Sequence, residues 1–131
     1  MKPVFIVFLI SNCPPCDKFP IGELKTELQN SFKIRLSQWH IIKDNTDIHH
    51  YGQKHDQKLT DEMIIRIKKY ITEYPALIFF PAYTWKKLLS DTSISNMPTA
   101  QYLKWNQNVT TSDIILWIEQ QLDSKKYFMY Y

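Results

Sequence analysis

The chain has 131 residues, 44% of them hydrophobic and only two of them glycine, with a net charge of +3. That length and composition suit a single folded domain over residues 1–131, with an aromatic tail at 123–131, and exclude a linker or a disordered segment. Fourteen lysines and two arginines are scattered among acids and form no basic stripe with stacking aromatics, so nucleic acid is not an expected partner.

Pro3 to Ile10 is a continuous apolar run, as in a central strand buried on both faces of a sheet. It is too short to span a bilayer and no small-residue cleavage site follows, so neither a membrane association nor a signal peptide is expected. The only two cysteines come straight after it, in Cys13-Pro14-Pro15-Cys16. A C-x-x-C between a strand and a helical pattern reads as a dithiol redox site. The default setting is reducing and cytoplasmic, where a cysteine pair is more often catalytic or metal-binding than structural. Abundant Lys and Ile with scarce Arg is the bias of an AT-rich genome, such as those of many large DNA viruses; for that origin the alternative setting is a virion.

Ile21, Leu24, Leu28 and Phe32 recur at helical spacing, with Pro20 and Gly22 bending or interrupting the first turn. Lys33 to Ile42 alternates and is expected to be a second strand, parallel to the first because a helix crosses between them. Lys43 to Lys58 is polar and is expected to be an extended loop carrying His49, His50 and His55. Parallel strands end on one side of the sheet, so this loop leaves on the cysteine edge. Its histidines are then either solvated or close enough to Cys13 to favour its thiolate. Thr60, as N-cap before Asp61 and Glu62, opens a second helix that runs to about Glu73 on Met63, Ile64, Ile67 and Ile71.

Ala76 to Phe80 and Gln101 to Trp105 read as the last two strands. Pro81 to Ala100 between them is an insertion holding about one helical turn, and it should lie away from the cysteines. Its Tyr83, Trp85 and Leu88 are either a docking surface for a protein partner or a cover for one end of the core. The final helix starts at Thr111-Ser112-Asp113 and buries Ile114, Ile115, Trp117, Ile118 and Leu122. The expected architecture is α/β, in the order β-α-β-α-β-β-α, with a mixed sheet flanked by helices. The tail Tyr127-Phe128-Met129-Tyr130-Tyr131 is a second candidate contact for a partner.

The strand, Cys13-Pro14-Pro15-Cys16, the helix with an early proline and then Tyr74-Pro75-Ala76-Leu77 together resemble the thioredoxin-like superfamily across nearly the whole chain. C-P-P-C is similar to the active site of some plant thioredoxins, tryparedoxins and nucleoredoxins, and Y-P-A-L to the Y-P-T-L of protein disulfide isomerase domains. The resemblance implies that Cys13 attacks protein disulfides, that Cys16 resolves the mixed disulfide, and that Pro75 is a cis-proline beside them. Met97-Pro98-Thr99 is the rival for that last role. Tyr74, Trp105 and Asn106 are then candidates to line the substrate groove, with the core an equal alternative for Trp105. The family's tryptophan before the first cysteine is Asn12 here and its buried acid is Val7, which marks a divergent member.

No metal or organic cofactor is required by this chemistry. Pro14 and Pro15 cannot donate backbone hydrogen bonds to the Cys13 sulfur and no histidine lies between the cysteines, so a reductant or relay is expected. Two other readings remain. Zinc would use Cys13, Cys16, His50 and His55, across a gap far longer than a zinc finger's. A non-catalytic thioredoxin-fold scaffold or virion assembly component would keep the fold without turnover.

Overall fold

In a computed structural model of the chain, residues 2–31, 35–52, 58–90 and 100–124 are described. The elements are β1 (Val4–Leu9), α1 (Pro14–Asp17), α2 (Ile21–Ser31), β2 (Gln38–Lys43), β3 (Thr46–Gly52), α3 (Asp61–Lys68), β4 (Ala76–Phe80), α4 (Ala82–Ser90), β5 (Gln101–Lys104) and α5 (Thr111–Asp123).

The strands form one mixed sheet in the order β3-β2-β1-β4-β5. β1 is central and all six of its residues are buried, because helices cover both faces of the sheet. It runs parallel to β2 and antiparallel to β4, while β3 and β5 add antiparallel strands at the two sides. Phe5, Val7 and Leu9 face α2 and α5 with Leu24, Leu28, Ile114 and Ile118. Val4, Ile6 and Phe8 face α3 and α4 with Ile64, Ile67, Trp85 and Leu88. Alternate residues of one strand thus feed two separate apolar layers.

The helices start where local chemistry supplies a cap. The Thr60 hydroxyl accepts from the Met63 N–H at 3.2 Å, and Thr110 and Asp113 exchange bonds of 3.1 and 2.9 Å in a capping box. Pro20, with no N–H to donate, lies between α1 and α2, so it interrupts the helical path, one of the two effects expected of it, and α2 runs from Ile21 to Ser31.

Several expectations are corrected. The extended loop expected over 43–58 contains β3, an edge strand paired with β2 from Lys43↔Thr46 to Gln38↔Gly52. Only one of its two sheet sides finds a partner strand, so its polar sequence is compatible with pairing. The insertion after Pro81 contains the nine-residue α4 rather than a single turn. Its Trp85 and Leu88 are buried against Phe80 and the rest of that layer, which makes them a cover for the end of the core remote from the cysteines. Finally, α3 ends at Lys68 rather than near Glu73, and β2 begins at Gln38 with Trp39 and Ile41, not Gln38, turned toward the α2 and α5 layer. Ile115 and Trp117 of α5 are only partly buried. Among the described residues no helix is long and apolar enough to cross a membrane.

The new β2–β3 pairing encloses a polar contact with no counterpart in the sequence reading. His40, fully buried on β2, places Nδ1 2.6 Å from Asp47 Oδ2 and Nε2 2.6 Å from Gln38 Oε1. Buried polar groups are costly unless paired, so Asp47 ties the edge strand to the sheet. Asp47→Ala leaves His40 without that partner and is expected to lower stability by about 1–3 kcal/mol in urea denaturation. An unchanged denaturation midpoint would contradict this role.

Candidate functional site

One edge of the sheet gathers the parts of the site. The register Leu9↔Lys43 between β1 and β2, Phe8↔Ala76 between β1 and β4, and Ala76↔Lys104 between β4 and β5 brings four chain segments together there. These are the loop after β1, the β2–β3 turn, the approach to β4 and the exit of β5.

Cys13 and Cys16 form a disulfide, with Cα atoms 5.2 Å apart. Cys13 is the N-cap of α1, and its Sγ accepts from the Cys16 N–H at 3.2 Å. Pro14 and Pro15 fill the first two helical positions, where a missing N–H costs the helix nothing. For the sulfur the same choice removes a donor, so from within the motif its backbone bond comes from Cys16. Both cysteines are nearly buried, Cys13 at 8% exposure and Cys16 at 4%, in the layer that contains Val7.

The Tyr74–Pro75 peptide is cis. The Tyr74 carbonyl oxygen lies 3.9 Å from Cys13 Sγ, so this segment borders the disulfide. Tyr74 packs partly against both apolar layers, and burial pushes its phenol pKa up. Pro75 also lines a cavity of about 280 Å³ with Tyr70, Glu73, Tyr102 and Lys104. Pro98, the rival, lies outside the described residues.

Trp105 and Asn106 stand on the same edge but are committed elsewhere. The Trp105 indole is buried, 5.2 Å edge-on from the Phe19 ring, and donates to the Val109 carbonyl at 3.0 Å. It is core that supports the segment after α1, the second of the two readings open for it. The Asn106 side chain accepts from the Asn108 N–H at 2.8 Å and shapes the β5–α5 turn. Lys18, just past α1, reaches that turn through Gln107 at 3.3 Å.

His49 and His50 lie on a strand and not in the expected loop. His49 pairs with Ile41 and His50 with His40, which sets them on opposite faces of the outermost strand β3. The turn beside the cysteine loop contributes Asp44 instead. Its Oδ1 accepts from the Ser11 N–H at 2.9 Å and its Oδ2 from the Ser11 hydroxyl at 2.6 Å. Its own N–H donates to the Leu9 carbonyl at 2.8 Å. Asn12 and Asp44 take left-handed backbone conformations, with φ of 57° and 56°, which asparagine and aspartate tolerate best among residues other than glycine. Sequence reasoning passed over Ser11 and Asp44, although Asp44-Asn45 between two pairable segments is a two-residue hairpin signal.

His55 and the tail Tyr127–Tyr131 lie outside the described residues, among which no group of three or more His, Cys, Asp or Glu side chains is placed to hold a metal ion. Tyr83 is exposed, with the Lys87 ammonium 5.6 Å over its ring.

Partial burial and the nearby Lys25 push the His49 pKa below its ordinary 6.5. A lowered folded-state value means that the unfolded chain binds the proton more readily, so protonating His49 destabilises the fold. Stability attributable to His49 is expected to fall as pH drops from about 6.5 through the lowered value. Proton NMR titration checks it, and a His49 midpoint above 6.5 would contradict the placement. Comparison with protein-family models, curated proteins and solved structures finds no match to this chain.

Proposed function

We propose that this chain is a thiol-disulfide oxidoreductase with a thioredoxin-like fold. The observation that carries the reading is the Cys13–Cys16 disulfide at the head of α1, with Cys13 Sγ beside both the Cys16 N–H and the Tyr74 carbonyl. A mixed sheet with β1 and β2 parallel and β4 and β5 antiparallel, flanked by helices, is compatible with that fold and adds support.

In the reduced protein the Cys13 thiolate attacks one sulfur of a substrate disulfide. The substrate S–S bond breaks, a Cys13–substrate disulfide forms and one substrate thiolate leaves. Cys16, having lost its proton to solvent, attacks Cys13 Sγ. The mixed disulfide breaks, the second substrate thiolate leaves and takes up a proton, and the Cys13–Cys16 disulfide forms. A dithiol reductant closes the cycle by running the same exchange on that disulfide. The partners are therefore protein disulfides and a dithiol donor, with Pro75 and Tyr74 flanking the substrate's approach.

The direction follows from how weakly the thiolate is stabilised. Pro14 and Pro15 supply no N–H, Val7 places no carboxylate beneath the pair, and the Tyr74 carbonyl turns its negative end toward Cys13. A weakly stabilised thiolate favours the disulfide form of the protein, hence a reductant or relay in a reducing, cytoplasmic setting.

Cys16→Ser is expected to trap a covalent mixed disulfide at Cys13 with an oxidised protein substrate, visible on a non-reducing gel. Cys13→Ser is expected to trap none and to lower the rate of disulfide reduction by roughly a thousandfold or more. Wild-type turnover retained by Cys13→Ser would overturn the proposal.

A further inference from the structure

The loop that delivers Cys13 to the head of α1 is held from outside its own helix. Between Leu9 and Cys13 the chain has only Ile10, Ser11 and Asn12, and Asn12 adopts a left-handed conformation. Three hydrogen bonds from Asp44 act on this stretch: two carboxylate oxygens on Ser11 and the backbone N–H on Leu9. Asp44 is itself fixed, since β2 leads into it and the Lys68 ammonium of α3 reaches its carbonyl at 3.5 Å and the Asn45 side chain at 3.0 Å. The two bonds from Ser11 also hold the Asp44 carboxyl below the usual carboxylate range, so the clamp is ionised at neutral pH.

We propose that Asp44 is a positioning residue for the Cys13–Cys16 couple, holding the Ser11 segment so that Cys13 is set in place for disulfide formation with Cys16. The inference deepens the oxidoreductase reading and rests on it for its biological meaning, although the couple itself can be measured without a substrate. Forming the intramolecular disulfide requires both sulfurs in one geometry, and every degree of freedom removed beforehand raises the effective concentration of one thiol at the other. A carboxylate in the neighbouring β2–β3 turn, holding Ser11 two residues before Cys13, removes such freedom without touching either sulfur. Releasing it makes the protein disulfide easier to reduce by two glutathione thiols, which leave as oxidised glutathione while the protein takes up two electrons and two protons.

The test is the equilibrium of the full chain with reduced and oxidised glutathione, quenched by alkylation and read by mass spectrometry. Asp44→Ala is expected to lower the equilibrium constant for forming the disulfide about tenfold, which is ~30 mV toward a more oxidising couple. Asp44→Asn retains an oxygen for the Ser11 N–H and is expected to restore most of that loss. Thr46→Ala, at the exposed start of β3 and outside the contacts that anchor Asp44, is expected to leave the constant unchanged. Thermal unfolding of Asp44→Ala in both redox states supplies a readout that a merely structural role would not move, because the oxidised form should lose more stability than the reduced form. Should Asp44→Ala fail to fold, Ser11→Ala removes the hydroxyl bond alone and should shift the constant in the same direction. An unchanged glutathione equilibrium, with equal loss of stability in both states, would overturn the assignment. If instead the constant shifts but the wild-type protein reduces no protein disulfide, the oxidoreductase reading fails and the positioning role stands.

Discussion

The burial of β1 on both faces is the constraint from which the rest of the structure follows. Its six residues are flanked by β2 on one side and β4 on the other, and its side chains alternate between two helical layers. A strand so enclosed cannot slip by one residue without exchanging every side chain between layers. Its C-terminal end is therefore fixed in space, and Cys13 follows four residues later. The β2–β3 turn, Tyr74-Pro75 and the β5–α5 turn come to the same place because their strands are registered on β1 directly or through β4.

At that edge the chemistry is set as much by groups withheld as by groups supplied. The two prolines complete a short helix while supplying no backbone donor to the Cys13 sulfur, and the Cys16 N–H remains as its partner within the motif. The surroundings are dry: Val7, Leu9, Phe19 and Trp105 share the buried layer with both cysteines. Low polarity disfavours a thiolate, whereas a bond between two neutral sulfurs carries no such penalty. The same features favour the disulfide over the dithiol, which is the basis of the proposed reductant role.

The central parts of this arrangement were legible in the sequence because they obey strong local rules. An unbroken apolar run identified β1, C-x-x-C after it located the pair joined in a disulfide, and capped periodic segments identified α3 and α5. β3 was not legible because an edge strand needs few apolar residues, and the polar run from Thr46 to Tyr51 looks like a loop once hydrophobicity is the criterion. Its β-branched and aromatic residues, with Asp44-Asn45 before them, were the available signal. His40 escaped for a related reason: a lone histidine in an apolar strand reveals its partners only when β3 folds against it. α4 was underestimated in length, as about one helical turn of a long insertion, although Trp85 and Leu88 do cover the end of the core, one of the two readings offered for them, while Tyr83 stays exposed. For Trp105 the sequence left groove and core equally open, and only the packing against Phe19 places it in the core.

The measurement that bears most directly on the account is the redox equilibrium of wild-type Cys13 and Cys16 against glutathione and dithiothreitol, followed by alkylation and mass spectrometry. The account predicts a reversible intramolecular disulfide with a potential of roughly −270 to −200 mV. Thiols that never pair under oxidising glutathione, or a couple as oxidising as about −120 mV, would contradict it.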